Sequence, residues 1–540
     1  MGKLSNLRKG EMKTKLTKSL IIAFICLLNT SFVFSQIQAD GKTSLAYLKN
    51  NLQVLASDEF EGRETTTRGE KLASLFIASE LGKYSVKPLG DNGTYFQNFE
   101  LLSSGYAMDT KMYLLNNAGS ILSDFFLGED FIKTSRGLAD SSFAKLTTEI
   151  VFAGYGITAK EFNYDDYSNI GVKGKTILIL SGEPYSEKDD FFNGAKPTPY
   201  SNTESKIKLA KEKGASGVLI VFEERMKDYW KLFRDYATKS SLAFITKEGE
   251  ETVKNIPVFT IGEKFAEKLL ADEKFSFEKI NEMLKEKEPL QTFELNKKLG
   301  YDIKLFSKIV HARNVIGLIE GTDPILKNEF VVLSAHYDHL GTRGSVVSNG
   351  ADDDGSGTVA VLEAARLLAA SNQNRRSIIV LFNTGEEKGL LGSKFATENG
   401  SFMKNVIADI NMDMVGREST DSLHCIGSDK LSSEFAEIVK EENSKTVNFV
   451  LNYKYDDPKD PNRFYSRSDH YNFAKKGIPV VFFFDDMRED YHRPTDDVEK
   501  INFEKILKTV KLSANIALHS ANLDHKIVVD KKAEEMPTRN

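Results

Sequence analysis

The stretch FVVLSAHYDHLG at residues 330–341 decides how this chain folds. It opens with an apolar run typical of a strand that is buried on both faces, and His336 follows this run directly. Two later stretches, NTGEEKG (383–389) and DINMDMVG (409–416), also place acidic residues at or just after an apolar run. Because ligands bind beyond the carboxyl ends of parallel strands, these polar side chains are predicted to meet in one crevice.

Strands and helices are predicted to alternate from residue 314 onward. A helical pattern at 356–371 separates the first two of four apolar runs, at 330–335, 377–384, 406–412 and 478–484. This alternation predicts an α/β fold, with a mainly parallel mixed sheet and helices on both faces.

The first half of the chain shows different patterns of apolar residues. Residues 43–88 show helical spacing, whereas 130–270 contain four further short strands and two helices with Gly at the turns. No cluster of ligand-type residues occurs in 130–270, and the charged stretch 271–300 indicates a helix and a linker. The predicted organisation is one domain in two parts, 36–129 and 271–526, with an inserted α+β domain at 130–270 and a polar tail at 527–540.

Length and composition limit the class of protein. A chain of 540 residues is expected to form two or three domains, and 41% hydrophobic with 28% charged residues is typical of a globular protein. A formal net charge of −6 argues against nucleic acid as a partner. The two cysteines are Cys26 and Cys425, and the first lies in the leader described next, so we expect no internal disulfide in the mature chain.

The N-terminus has the pattern of an export signal. Lysines at 13–18 precede the apolar run LIIAFICLL (20–28), and Val33-Phe34-Ser35 offers a cleavage motif before Gln36. We therefore predict a signal peptide at 1–35, a secreted or periplasmic protein, and no stable membrane span after cleavage. An uncleaved anchor is the alternative.

Two segments offer the first candidate ligands of a metal centre. His336 ends a strand, and Asp338 is placed to orient its imidazole, as in a carboxylate–histidine–metal triad. Asp352, Asp353 and Asp354 precede a helix, where one carboxylate suffices for capping. Three in a row repel each other, so a carboxylate that bridges two cations explains the excess as well as capping does.

Three later segments complete the set. Of Glu386 and Glu387, one is expected to bind metal while the other acts as general base. Asp413 lies between two methionines, with Asp409 as its rival, and His492 follows in a loop. Two histidines and three carboxylates suit zinc. The remaining histidines fit no ligand pattern and are predicted to be structural or on the surface; among them are His339 and His424.

The ordered motifs resemble those of the M28 family of metallopeptidases, the co-catalytic zinc aminopeptidase group. The motifs are HYD, DDDGSG, GEE, MDM and YHRPTD, at 336–338, 352–357, 385–387, 412–414 and 491–496. The resemblance implies two zinc ions per chain, with Asp353 bridging them and Glu386 as general base. It implies His336 and Asp413 at the first zinc, and Glu387 and His492 at the second. The segment 130–270 resembles a protease-associated (PA) domain.

The resemblance implies an exported aminopeptidase that cleaves N-terminal peptide bonds of substrates with a free N-terminus, using a hydroxide shared by the two zinc ions. Tyr491, beside a ligand, is a candidate donor to the developing oxyanion. The alternatives are a glutaminyl cyclase-like transferase, a zinc carboxypeptidase or dipeptidase, and a non-catalytic receptor-like binding protein of the same fold. The DDDGSG motif argues against the cyclase, and the intact ligand positions argue against the receptor.

Overall fold

The computed structural model describes most of the chain after the predicted leader. The described residues are 36–532, apart from 38, 135–137, 140, 186–190, 195, 223–229, 231–233, 235–238, 246–254, 418 and 461. The predicted signal peptide and the last eight residues of the predicted tail, 533–540, lie outside them.

The α-helices within the described residues are distributed along the whole chain. They are α1 Gly41–Leu55, α2 Arg68–Lys83, α3 Thr203–Glu212, α4 Glu263–Leu270, α5 Phe277–Glu286, α6 Gly357–Ser371, α7 Leu391–Asn399, α8 Ser433–Thr446, α9 His470–Ala474 and α10 Phe503–Asn522. The predicted helices at 43–88 and 356–371 are thereby confirmed as α1, α2 and α6.

Most of the strands belong to two large sheets. The strands are β1 Lys87–Pro88, β2 Phe96–Tyr106, β3 Lys111–Asn116, β4 Ile121–Phe126, β5 Phe131–Lys133, β6 Thr147–Phe152, β7 Thr158–Ala159, β8 Tyr164–Asp165, β9 Thr176–Leu180, β10 Gly217–Val221, β11 Ser241–Phe244, β12 Val258–Ile261, β13 Phe293–Asp302, β14 Leu305–Ile319, β15 Phe330–His336, β16 Gly341–Arg343, β17 Val346–Ser348, β18 Ser377–Asn383, β19 Val406–Met412, β20 Ser422–Ile426, β21 Val450–Asn452 and β22 Val480–Phe484.

The larger sheet has ten strands in the order β11-β2-β14-β18-β15-β19-β22-β20-β21, with β1 also paired to β14. Its centre is parallel, because β15 pairs in parallel with β18 and β19, and β19 pairs in parallel with β22. Most of the flanking pairs, from β11 to β18 and from β22 to β20, are antiparallel. The predicted α/β fold with a mixed sheet is confirmed, and its parallel pairing is concentrated at the centre.

Helices cover both faces of this sheet. Val331 and Leu333 of β15 pack in one apolar core with residues of α6 and α10, such as Leu362 and Val510. Val332, which points the other way, belongs to a second core on the opposite face. Strands buried on both faces are continuous apolar runs, which explains why the sequence alone located these four central strands.

The second sheet has eight strands in the order β4-β3-β13-β6-β9-β10-β12-β5. It takes strands from both sides of the predicted insert at 130–270, since β3 and β4 precede that segment and β13 follows it. The expectation of a helix and a linker at 271–300 is right for α5 and wrong for 293–300, which belong to β13. Charged and polar residues interrupt the buried positions of β13 and hide this strand from a search for apolar runs.

The chain leaves the larger sheet to form the second sheet and returns to the larger sheet at the same place. Tyr106 ends β2 and Leu305 begins β14, and these two residues are paired across the antiparallel ladder. Residues 107–304 therefore occupy the place of a hairpin loop between β2 and β14, and this segment is called the excursion below. One strand of the excursion, β11, returns to pair with β2 at the edge of the larger sheet.

This connection predicts where the chain can be shortened. Replacing 107–304 by Asn-Gly should yield a folded protein, because a two-residue turn can join paired antiparallel strands. Deleting only 130–270 should yield misfolded protein, because it leaves β3, β4 and β13 as a three-stranded sheet without β6 and without most of the apolar core that packs against them. Near-UV circular dichroism and thermal unfolding of both variants check this, and a cooperative transition in the second variant alone would contradict it.

Candidate metal centre

The parallel register brings the candidate residues to one edge of the larger sheet. His336, at the end of β15, is paired with Asn383, at the end of β18. Glu386 and Glu387 follow β18, and Asp413 follows β19 directly. His492 lies in the loop after β22. The crevice predicted from the sequence is therefore present, and these residues line it.

Asp353 lies at the middle of the cluster and turns its two oxygens in different directions. Its Oδ1 atom is 3.4 Å from Nε2 of His336, which is 3.5 Å from Oδ1 of Asp413. Its Oδ2 atom is 3.2 Å from Nε2 of His492, which is 3.1 Å from Oε2 of Glu387. One carboxylate thus separates two groups of donor atoms, as a bridging ligand would.

The three consecutive aspartates have three different environments. Asp354 accepts hydrogen bonds from the backbone N–H groups of His336, Gly357 and Met414, at 2.9–3.1 Å. Asp352 accepts one from Gly416 at 2.9 Å. Only Asp353 faces the cluster, so capping and chain positioning account for the other two carboxylates.

Asp338 does not orient His336 in the predicted way. The Nδ1 atom of His336 lies 3.1 Å from the backbone oxygen of Asp338 and 3.7 Å from its carboxylate, which is too far for a hydrogen bond. The carboxylate instead accepts hydrogen bonds from the Thr65 hydroxyl at 2.7 Å and the Glu386 N–H at 3.1 Å. Its side chain therefore fixes the segment that carries Glu386.

Asp409, the rival of Asp413, lies within β19 and accepts a hydrogen bond from Ser334 at 2.8 Å, away from the cluster. Asp413 accepts one from Ser468 at 2.6 Å through Oδ2, which leaves Oδ1 toward His336. The preference for Asp413, which follows β19, over Asp409, which lies within it, agrees with this geometry.

Glu386 and Tyr491 line a cavity beside the cluster. Oε2 of Glu386 is 3.8 Å from Nε2 of His336, and its side chain is 12% exposed. The Tyr491 ring stacks on His492 with centroids 3.9 Å apart, and its hydroxyl accepts a hydrogen bond from Arg467 at 3.0 Å. Apolar residues complete the wall: Met414, Phe464, Phe482, Phe484 and Met487.

The cluster perturbs the acidity of its members. Burial would lower the pKa of His492, but the carboxylates of Glu387 and Asp353 raise it to about 11. Burial would likewise lower the pKa of His336, and Asp413, Glu386 and Asp353 raise it well above its usual range. Burial is also the main cause of the strongly raised pKa of Glu386. The surrounding carboxylates therefore favour the protonated form of both imidazoles as long as no cation competes for those carboxylates.

His339 is the residue that the sequence reasoning missed. It is completely buried, not at the surface, and its Nδ1 atom lies 3.0 Å from Oε1 of Glu387 and 3.9 Å from Oδ2 of Asp353. The available signal was its position, three residues after His336 in the same loop. A lone imidazole at that spacing matches no standard ligand motif.

The donor set fits divalent metal. Two groups each bring one ligand atom per residue to within 4.8 Å of one another: His336, Asp353 and Asp413, and His339, Asp353 and Glu387. Oδ2 of Asp353 and Oε1 of Glu387 are buried and lack hydrogen-bond partners among the described residues. Imidazole nitrogen and carboxylate oxygen are ligands that zinc accepts, and a cation would satisfy these buried oxygens.

The model of peptidase family M28 matches residues 314–517, which span the whole cluster. Residues 314–517 belong to peptidase family M28. The resemblance drawn from the motifs is confirmed for this segment.

Among the described residues, each helix is too short or too polar to span a bilayer.

Curated relatives of this M28 segment carry aminopeptidase names. A probable leucine aminopeptidase of Arthroderma otae is 29% identical over 209 residues, which cover 37% of this chain and 56% of that protein. Leucine aminopeptidase 1 of Blastomyces gilchristii is 30% identical over 234 residues, which cover 38% of this chain and 56% of that protein. The chain thus spans about half the length of these curated relatives.

Solved structures of two aminopeptidases share the fold over nearly the full chain. An aminopeptidase from Aneurinibacillus sp. strain AM-1 matches with a TM-score of 0.53 and 18% identity, covering 92% of this chain and 98% of that one. A zinc aminopeptidase from Bacillus subtilis matches with a TM-score of 0.53 and 21% identity, covering 90% and 98%. The likeness extends over both sheets, so the whole architecture is one that is already known.

The cationic imidazoles predict that zinc uptake releases protons. His336 and His492 must each lose a proton before they bind metal, so zinc affinity should rise as pH increases from about 6 to 8. Calorimetric titration of the metal-free protein with zinc, in buffers of different ionisation enthalpy, measures the release. A binding enthalpy that is independent of the buffer would contradict the prediction.

Proposed function

We propose that the protein is an exported zinc-dependent aminopeptidase that hydrolyses the first peptide bond of substrates with a free N-terminus. The observation that carries this proposal is the position of Asp353, with one oxygen toward His336 and the other toward His492. Such an arrangement suits two zinc ions, one held by His336 and Asp413 and the other by Glu387 and His492, with Asp353 shared. The aminopeptidase names of the relatives and of the structural neighbours support the same reaction class.

Glu386 would act as the general base. Two bound divalent cations would supply Lewis acidity and lower the pKa of a water molecule in the cavity. The Glu386 carboxylate would accept the proton of that water and then deliver it to the amine that leaves. Asp338 supports this role, because it accepts the Glu386 N–H and so holds the carboxylate at the cavity wall.

Tyr491 would stabilise the negative charge that develops on the carbonyl oxygen. Arg467 donates to its hydroxyl oxygen, so the hydroxyl proton is free to point into the cavity. A donor that is already in place costs no reorganisation during the reaction. Stacking of the Tyr491 ring on His492 keeps this donor next to the cluster.

The apolar wall of the cavity favours an apolar first side chain in the substrate. Met414, Phe464, Phe484 and Met487 line the same cavity as Glu386. An apolar pocket beside a few polar groups takes an apolar group and orients it. The N-terminal side chain would occupy this wall while the scissile carbonyl faces Glu386.

Export and the role of the excursion are also proposals. The leader pattern at 1–35 supports a secreted or periplasmic location. The segment predicted as a PA-like domain would shape access to the site, because Lys239, which follows β10 and precedes β11, is 2.7 Å from Glu64 and 3.1 Å from the backbone oxygen of Leu340. Leu340 follows His339 directly, so the excursion contacts the loop that carries a candidate ligand.

Substitution of the two adjacent glutamates should have different effects on turnover and on zinc content. Glu386→Gln should lower kcat by about two to four powers of ten and leave the zinc content unchanged, because it removes a base and no ligand. Glu387→Gln should weaken one zinc, with partial recovery of activity at high added zinc. Elemental analysis and turnover of an aminoacyl reporter measure both effects.

The surface variant Glu398→Gln, whose side chain is exposed, is the matched control and should behave as wild type. Loss of metal from Glu386→Gln, with metal retained and turnover lost in Glu387→Gln, would mean that the two roles are exchanged. Full activity of both variants would refute the hydrolase.

The apolar wall of the cavity predicts a preference among reporter substrates that differ in their N-terminal residue. Leucyl and phenylalanyl reporters should be cleaved with kcat/KM at least about tenfold higher than aspartyl and lysyl reporters, since charged side chains lose hydration in an apolar pocket. N-acetylated forms of the same substrates serve as controls and should resist cleavage. A preference for aspartyl or lysyl reporters would contradict the assignment of this wall.

A further inference from the structure

We infer that His339 is a metal ligand of the second zinc position, beside Glu387, His492 and Asp353. This inference rests on the proposed function and deepens it. It makes the two positions unequal: the first has three protein ligands, His336, Asp353 and Asp413, and the second has four. The general M28 resemblance assigns no role to His339.

The unpaired atoms at this position carry the inference. Nδ1 of His339 is 3.0 Å from Oε1 of Glu387, yet neither atom has a hydrogen-bond partner within the described part of the chain. Oδ2 of Asp353 is buried and unpartnered as well. One ligand atom from each of His339, Asp353 and Glu387 lies within 4.8 Å of the other two, and Nδ1 of His339 is 3.9 Å from Oδ2 of Asp353. Donor atoms that converge without bonding each other are satisfied by a cation at their common point.

The surrounding chain holds the His339 ring in this orientation. The backbone N–H of His339 donates to the backbone oxygen of Arg63 at 3.2 Å and so holds the main chain from which the ring projects. Gly350 lies against the other side of the ring, where a Cβ atom would come within 2.5 Å of His339 Cδ2. Gly350 also has a φ of +56°, which side chains rarely adopt, so both its conformation and its lack of a side chain make room for the imidazole.

The buried Arg63 side chain fixes the two loops that meet here. Its guanidinium donates to the backbone oxygens of Tyr337, Asn349 and Gly350, at 2.6–2.8 Å. The first of these residues precedes His339 by two positions, and the other two precede Asp353. The N-terminal segment at 58–64 therefore positions a ligand loop, although it contributes no ligand of its own.

The alternative is that His339 donates a hydrogen bond to Glu387 and only orients it. The 3.0 Å between Nδ1 of His339 and Oε1 of Glu387 is short enough for such a bond, so the effect on zinc affinity of removing the imidazole distinguishes the two roles. A second-sphere partner typically changes metal affinity by about 10–100-fold. Loss of a direct ligand should exceed that range.

A crystal structure of the full-length mature protein with zinc added tests the inference without any variant. Nδ1 of His339 is expected about 2.0–2.1 Å from one zinc. A second zinc present with Nδ1 more than about 3 Å away would overturn the inference and leave the proposed function intact. Absence of zinc from a protein with no aminopeptidase activity would refute the proposed function itself.

Competition with a chromophoric zinc chelator gives an independent measurement. His339→Gln should weaken one of two zinc sites by more than about 100-fold and leave the other unchanged. His311→Gln, at an exposed histidine outside the cluster, is the matched control and should match wild type. Unchanged affinity at both sites in a folded His339→Gln protein would overturn the inference.

Discussion

The cost of burying like charges at one edge of the sheet is the constraint on which this structure depends. Asp353, Asp413, Glu386 and Glu387 all face one crevice, and none of their side chains is more than 12% exposed. Two unit charges about 4 Å apart repel by about 4 kcal/mol at an effective dielectric constant of about 20. Without metal, two cationic imidazoles offset part of this repulsion. Two divalent cations would offset it more completely, and their binding would release the protons that the imidazoles hold.

The fold supplies this concentration of charge by simple means. Four parallel strands end at the same edge, and the residue after each strand, or a few residues later, carries an acid or an imidazole. Asp352 and Asp354 use backbone N–H groups to fix the loop from which Asp353 projects. Asp338 does the same for the segment of Glu386. Groups outside the candidate ligand set thus determine where the ligands and the base lie.

The sequence predicted what depends on local pattern. Apolar runs of β15, β18, β19 and β22 located the central sheet, and their polar ends located the crevice. Contacts that depend on the folded chain stayed hidden. His339 shows no ligand spacing, because its backbone is held by Arg63, far away in sequence, and its ring packs against Gly350. Asp338 was misread because its backbone, not its carboxylate, meets His336.

The extent of the second sheet could not be predicted from the sequence either, since β3, β4 and β13 lack the continuous apolar runs of buried strands.

Zinc analysis of the purified mature protein tests the central claim most directly, because every role assigned to the cluster depends on two cations. The account predicts two zinc ions per chain in the active protein. A single zinc per chain that supports full activity would contradict it.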